Sequence, residues 1–378
     1  MKRSILLFLV FTYILSIPLA CRKANAPTIK EKEVEKEIID QEVVMELKPG
    51  ENNPRNSEGD FITLKNGKIL FIYSHFTGTS DDDENSGYLA SRVSSDDGRT
   101  WSKSDKVVIE QEGMQNVMSV TLLRLRNGSI AFFYLVKNSI ADCRPYMRVS
   151  NDEGETWGER ISCLPNNIGY YVLNNDRVIQ LKSGRLLLPL SLHQSPEIPV
   201  WTGNGTMYVY YSDDNGITWK SSASVPNPNK TLFQEPGVVE LNDGRILMIM
   251  RTNTRTIYKS YSADGGQTWT PGESTQIASP TSPSSIVRIP SSKDLLMVWN
   301  NNTATSSGLK ERRNPLTIAI SKDEGKTWEK IKNVEEDPNG YYCYAAVHFI
   351  GDYALFAYCT GTLATTKVNR LSLRWLYQ

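Results

Sequence analysis

Six stretches of the chain share one hydropathic outline: an apolar alternating run, a short turn, then a second apolar run. They are ITLKNGKILFIY (62–73), TLLRLRNGSIAFFY (121–134), RVIQLKSGRLLLPL (177–190), GVVELNDGRILMIM (237–250), SIVRIPSSKDLLMVW (285–299) and AAVHFIGDYALFAY (345–358). Alternation at period two followed by a turn and a second run predicts a β-hairpin at each place. A second pattern is offset from the first. The octet S-x-D-x-G-x-T-W occurs as SSDDGRTW (94–101), SNDEGETW (150–157), SDDNGITW (212–219), SADGGQTW (262–269) and SKDEGKTW (321–328). Its chemistry fits a tight turn. The Asp accepts backbone N–H bonds, the Gly supplies a positive φ, and the Trp packs inward.

The octet resembles the Asp box of the sialidase and neuraminidase superfamily, where it is a structural turn on the outer rim, away from the active site. No catalytic role is therefore assigned to its five Asp residues. Six hairpins against five boxes leave the sixth unit without one. Residues 45–378 divided among six units give about 56 each, the size of a four-stranded blade. The expectation is all-β, a six-bladed β-propeller over residues 46–378, with residues near 45–55 adding a strand to the last blade.

Composition narrows the function classes. The 378 residues carry 42 Lys+Arg against 42 Asp+Glu, so no basic excess points to nucleic acid as a partner. Hydrophobic residues at 39% and charged residues at 22% exclude a disordered chain or a multispan membrane protein. The 18 Tyr, eight Trp and 25 Gly suit β-structure with many turns. Three His and five Cys argue against a multi-ligand zinc site, and His75, His193 and His348 are read as non-ligands.

The first 21 residues read as a signal peptide. Lys2 and Arg3 precede an apolar run from Ile5 to Leu19, and Leu19-Ala20-Cys21 resembles a lipobox, in which Cys21 is lipidated. The alternative is an ordinary signal cleaved near Ala20. Either way the protein is expected to be exported, as a cell-envelope lipoprotein of the periplasm or outer surface that meets the membrane only through its lipid anchor. Without Lys2 and Arg3, 40 basic face 42 acidic residues, a net of −2. Residues 22–45, including KEKEVEKEIIDQE, read as a charged tether. The pairing of Cys143, Cys163, Cys343 and Cys359 is not given by the sequence.

The superfamily resemblance covers nearly all the mature chain and implies a site: three arginines for the substrate carboxylate, a tyrosine nucleophile with a glutamate partner, and an aspartate acid/base. Arg55 precedes the first hairpin, although Arg-Asn-Ser stands where the family has Arg-Ile-Pro, and Glu58 and Asp60, which follow it, are further candidates for the pocket. Asp82, twelve residues before Ser94, has the family spacing among Asp81, Asp82 and Asp83. Glu235 and Arg251 flank one hairpin, so both ends return to one rim. Arg313 precedes the last box, with Arg312 as its competitor. Of Tyr341, Tyr342 and Tyr344, the last best matches the family's Tyr-Ser-x-Leu run. Asn174-Asn175-Asp176-Arg177 precedes the third hairpin, either lining the pocket or forming a strand-entry turn.

These residue types belong together chemically. A planar guanidinium binds a carboxylate bidentately. A neutral Tyr avoids the repulsion that a carboxylate nucleophile would meet beside that anion, and it needs a base, here Glu235, to take its proton. The resemblance implies a retaining exo-sialidase acting on sialylated or other acidic glycans, with no metal or organic cofactor. Two alternatives stand beside it. One is a related exo-glycosidase for another acidic sugar, kept open by the Arg-Asn-Ser departure. The other is a non-catalytic propeller, either carbohydrate-binding or an assembly scaffold.

Overall fold

The computed structural model describes residues 39–302, 312–361 and 363–378. The signal peptide, Cys21 and the tether as far as residue 38 lie outside them.

The regular structure of the described residues is almost entirely strand, arranged in four four-stranded sheets and one nine-stranded sheet. The first sheet runs in sequence order through Asn56–Thr63, Ile69–Phe76, Gly87–Ser94 and Lys106–Ile109, all antiparallel neighbours. Phe233–Glu240 opens a second sheet of this form and Ser285–Arg288 a third. The nine-stranded sheet holds two hairpin units, beginning at Asn116–Arg124 and at Ile179–Gln180. They are joined by Tyr170–Val172, which makes one parallel pair, Tyr170 with Cys143. All six hairpins anticipated from hydropathy form as antiparallel pairs.

The last sheet is built differently. Cys343–Ile350, Tyr353–Thr360 and Thr365–Ser372 supply three strands, and the fourth is Gln41–Leu47 from the other end of the chain. Among the described residues the strands thus begin at Gln41, inside the stretch assigned to the tether, where Val43, Val44 and Met45 supply strand-forming side chains. The same arrangement explains the missing sixth box. In the other units the octet turns the third strand into the fourth. Here the fourth strand arrives from elsewhere, and Thr365–Ser372 runs on into a short helix, Leu373–Tyr377.

The core lies between sheets. Ile69, Phe71 and Tyr73 pack with Leu355, Ala357 and Val368 of the last sheet, while Leu70 and Ile72 face Val120, Leu122 and Phe132 of the next unit. Alternate residues of one strand therefore serve two cores, so the second run of each hairpin is apolar throughout. Similar clusters join each remaining unit to its neighbour. The four described cysteines are buried free thiols, with Cys343 and Cys359 directly opposite across a strand pair.

Each octet closes through one set of bonds. In the fourth copy, Asp264 Oδ1 accepts from Ser262 Oγ at 2.8 Å and Thr268 N at 2.9 Å, and Oδ2 accepts from Thr268 Oγ1 at 2.6 Å. Gly266 N donates to Ser262 Oγ at 2.9 Å, with Gly266 at φ 87°. Trp269 is buried, whereas the other four box tryptophans are half-buried. Ser262 pairs with Ile246 at the turn end of its hairpin. Arg251 is five residues further along that strand, about 17 Å away. Asp264→Ala is thus expected to cost about 1 kcal/mol of stability with kcat unchanged, checked by thermal unfolding and assay together.

These bonds also set an acid limit. Although partial burial opposes their charge, the Thr and Ser donors hold Asp264 and Asp323 at about 2, and Thr156 and Ser150 do the same for Asp152. Carboxylates depressed on folding stabilise above their unfolded value, near 3.8, and lose that contribution as pH falls through about 2. Urea titrations should show stability falling between pH 4 and 2.

Candidate functional site

The first strands of these units carry a recurring kink. Register shifts fall at Ser57/Asp60, Met118/Thr121, Gln234/Gly237 and Cys343/Ala346. At each one a non-glycine residue takes left-handed backbone: Glu58 at φ 53°, Ser119 at 62°, Glu235 at 45° and Tyr344 at 56°. Asp176, just before its hairpin, matches them at 54°. Such conformations cost about 1–3 kcal/mol each and persist where the surroundings enforce them. A bulge re-aims its side chain, and here the re-aimed residues bond to one another across units.

Tyr344 Oη donates to Glu235 Oε1 at 3.0 Å, and Arg251 Nη1 donates to Glu235 Oε2 at 2.5 Å. Arg313 lies with its guanidinium carbon 5.5 Å from the Tyr344 ring centre and 5.3 Å from that of Tyr341. Arg313 is only 8% exposed, and its Nη1 has no hydrogen-bond partner; neither has Arg251 Nε. Burial opposes the charge on Glu235, but the neighbouring Arg251 and Arg313, with bonds from Arg251 and Tyr344, hold it below the usual carboxylate range. Burial and the Glu235 charge push the Tyr344 hydroxyl well above its ordinary value, against the pull of both arginines. The resting pair is therefore a neutral tyrosine donating to a carboxylate.

Arg55 heads a second group. Its Nη1 bonds Asp83 Oδ1 at 2.7 Å and the Asp81 carbonyl at 3.1 Å, its Nη2 meets Glu58 Oε1 at 3.2 Å, and its Nε donates to Ser57 Oγ. Phe76 lies under the guanidinium at 4.3 Å. Glu58 Oε2 accepts from Ser119 Oγ at 3.1 Å. Burial, with the charges of Asp83 and Glu235, pushes Glu58 up to about 7 against Arg55 and Ser119. The two groups are therefore electrostatic neighbours.

Glu235, Arg251, Arg313 and Tyr344 stand together, as the sequence predicts. Arg312 instead donates to the Pro338 carbonyl, and Tyr342 packs in the core against Tyr358. Asp82 lies apart from them. Its carboxylate is exposed and bonds Ser80 Oγ at 2.7 Å, whereas Asp83, one residue on, reaches Arg55. Spacing cannot separate adjacent residues of an irregular loop, because the turn after Ser80 decides which one faces inward. Of the two residues after Arg55 singled out as pocket candidates, Glu58 joins the site. Asp60 instead binds the Phe61 and Leu122 amides. Ser119 had no sequence signal, since nothing in Val-Met-Ser-Val marks a bulge. Among the described residues no group of three or more His, Cys, Asp or Glu is placed to hold a metal ion.

Residues 73–355 match the model of the BNR repeat-like domain family. The chain is 27% identical over 328 residues to a sialidase of Micromonospora viridifaciens, covering 76% of this chain and 47% of that protein. It is 29% identical over 215 residues to a sialidase of Bacteroides fragilis, covering 53% and 36%. It thus spans less than half the length of these relatives. In fold it is similar to a Dyadobacter fermentans protein of unknown function (TM-score 0.68, 19% identity, 88% of this chain and all of that one). It is also similar to the Hadza microbial sialidase Hz136 (0.69, 17%, 85% and 66%) and to Trypanosoma rangeli sialidase bound to the inhibitor DANA (0.63, 18%, 84% and 55%). The fold is thus the all-β fold of sialidases, which are β-propellers, and the chain belongs to the BNR repeat-like domain family.

Proposed function

We propose that the protein is a retaining exo-glycosidase that releases terminal sialic acid from glycans, on a propeller of six blades. The blade count is supported by six hairpins whose sheets pack in sequence order, with the last cluster joining Leu355 and Val368 back to Phe61 and Phe71. The function is carried by one observation: a tyrosine bonded to a buried carboxylate, under a buried arginine whose Nη1 lacks a partner. A buried donor left unpaired in the free protein suits an anion that arrives with the substrate.

In this mechanism Arg313 and Arg251 hold the substrate carboxylate. Tyr344 Oη attacks the anomeric carbon while its proton passes to Glu235, and the same two arginines lower the cost of charge on the phenolic oxygen. The bond to the leaving oxygen breaks as that oxygen takes a proton from Asp83. Ionised Asp83 then takes a proton from water, which displaces Tyr344 from the anomeric carbon, and Glu235 returns its proton. Two displacements give retention.

Asp83 takes the acid/base role in place of Asp82. Asp83→Ala is expected to lower kcat/KM for an alkyl α-sialoside by about 100-fold or more, while Asp82→Ala stays within a few-fold. The reverse order would return the role to Asp82. No turnover of any α-sialoside by the purified parent would refute the proposal as a whole. A second reading, an exo-glycosidase for another acidic sugar, is favoured by Glu58, which already occupies part of Arg55. Turnover of a uronide with none of sialosides would select it. The sequence pattern of residues 1–21 supports export and a lipid anchor at Cys21 as part of the proposal.

A further inference from the structure

The segment Asn174–Arg177 has no part in the reaction just described, yet it crosses the centre of the molecule. Asp176 N donates to the Val120 carbonyl at 3.0 Å, and Arg177 N to Thr121 Oγ1 at 3.1 Å. Arg177 Nη1 and Nη2 reach Ser285 Oγ at 3.1 Å and the Ser284 carbonyl at 3.0 Å. Asn175 Nδ2 donates to the Gly59 carbonyl at 2.9 Å and to the Tyr344 carbonyl at 3.1 Å. Asp176 Oδ2 accepts from Val347 N at 2.9 Å. One short segment of the third unit is thus bonded to the first strands of the first, second, fifth and last units. Asp176 and Arg177 also line a cavity of about 260 Å³, together with residues such as Ile179, Val239 and Ile286.

These bonds fall where the tyrosine strand lacks its own. Strand pairing skips from Cys343–Cys359 to Ala346–Ala357, so Tyr344 and Ala345 drop out of the ladder. A bulge leaves such peptide groups in need of partners. The Tyr344 carbonyl takes Asn175, the Ala345 carbonyl takes Ser285 Oγ at 2.6 Å, and Val347 N takes Asp176. Asn175 is fully buried. Its one carboxamide also holds Gly59, next to Glu58, so it ties the backbone of both pocket bulges together.

We propose that Asn175 is the positioning residue for Tyr344, keeping it at φ 56° and its hydroxyl on Glu235. The kinetic consequence rests on the glycosidase reading; the geometric one does not. The test is a crystal structure and steady-state kinetics of full-length Asn175→Ala and Asn175→Ser. In the Ala variant Tyr344 is expected to leave the left-handed region and lose its bond to Glu235. Its kcat falls about 100-fold with KM within about threefold, as misplacement of a reacting group predicts. Ser keeps one donor and recovers about tenfold of that loss. Should the Ala variant not fold, the Ser variant carries the same readouts. Tyr344 unmoved in the variant, an unchanged kcat, or a loss carried wholly by KM would each overturn the proposal. If the parent turns over no sialoside, the glycosidase reading fails while the variant structure still decides the role of Asn175.

Discussion

Replacing Tyr344 with Phe removes one oxygen atom, and the expected result is a loss of kcat on the order of a thousand-fold or more. The ring keeps its packing beside Arg313, and Glu235 keeps Arg251, so the binding surface survives. What disappears is the atom that would bond to the anomeric carbon. KM is expected to change little, and the variant should still bind an unhydrolysed sialic acid analogue with near-parental affinity. The measurement is single-turnover kinetics with a trap for the glycosyl–enzyme: the parent accumulates label on Tyr344, and the variant does not. Turnover within tenfold of the parent would remove Tyr344 from the chemistry. Rapid turnover with inverted stereochemistry would point to direct attack by water.

The second large effect pairs a gain with a loss. Arg313→Met exchanges a buried cation for an apolar side chain of similar reach, and activity on an anionic sugar is expected to fall at least about a hundred-fold. Stability should move the other way. With Nη1 unpaired, the native arginine carries a desolvation cost, set against the attraction of the Glu235 charge, until an anion completes its bonding. Relief of about 1–3 kcal/mol would raise the melting temperature by roughly 2 °C or more. Parallel thermal unfolding and assay decide the matter. A variant that is both less stable and inactive would mark Arg313 as structural support. A stable variant with full activity would deny it a role in binding.

Local signals carried much of this architecture in the sequence, because each unit repeats them. Apolar alternation located all six hairpins, and the octets located five third-to-fourth turns with their Ser, Asp and Thr partners. Glu235 and Arg251 were legible because an antiparallel hairpin returns its two ends to one rim, and Arg313 and Tyr344 because the superfamily resemblance pointed to their positions. Three things stayed hidden. The inward carboxylate of Asp81-Asp82-Asp83 depends on how an irregular loop turns. Ser119 owes its direction to a bulge, which the hydropathic pattern does not mark. Asn175 bonds to Gly59 and Tyr344, far away in sequence, and asparagine before a strand ordinarily reads as a turn. Local chemistry announces turns, whereas contacts through the centre of the molecule need every unit in place.

That dependence extends to how the molecule is made. Gln41 pairs with Leu371, and Ser372 N donates to the Asp40 carbonyl, so the strand made first in this domain waits for the one made last. The equilibrium penalty for joining such distant segments is small, since each doubling of a loop costs only about 0.6 kcal/mol. Timing is the greater constraint. Until Thr365–Ser372 has left the ribosome, the outer edge formed by Gln41–Leu47 has nothing to pair with, and the groups it exposes can recruit a strand from another chain. A chain cut short by a dozen residues would lose its fastening and keep a surface prone to association.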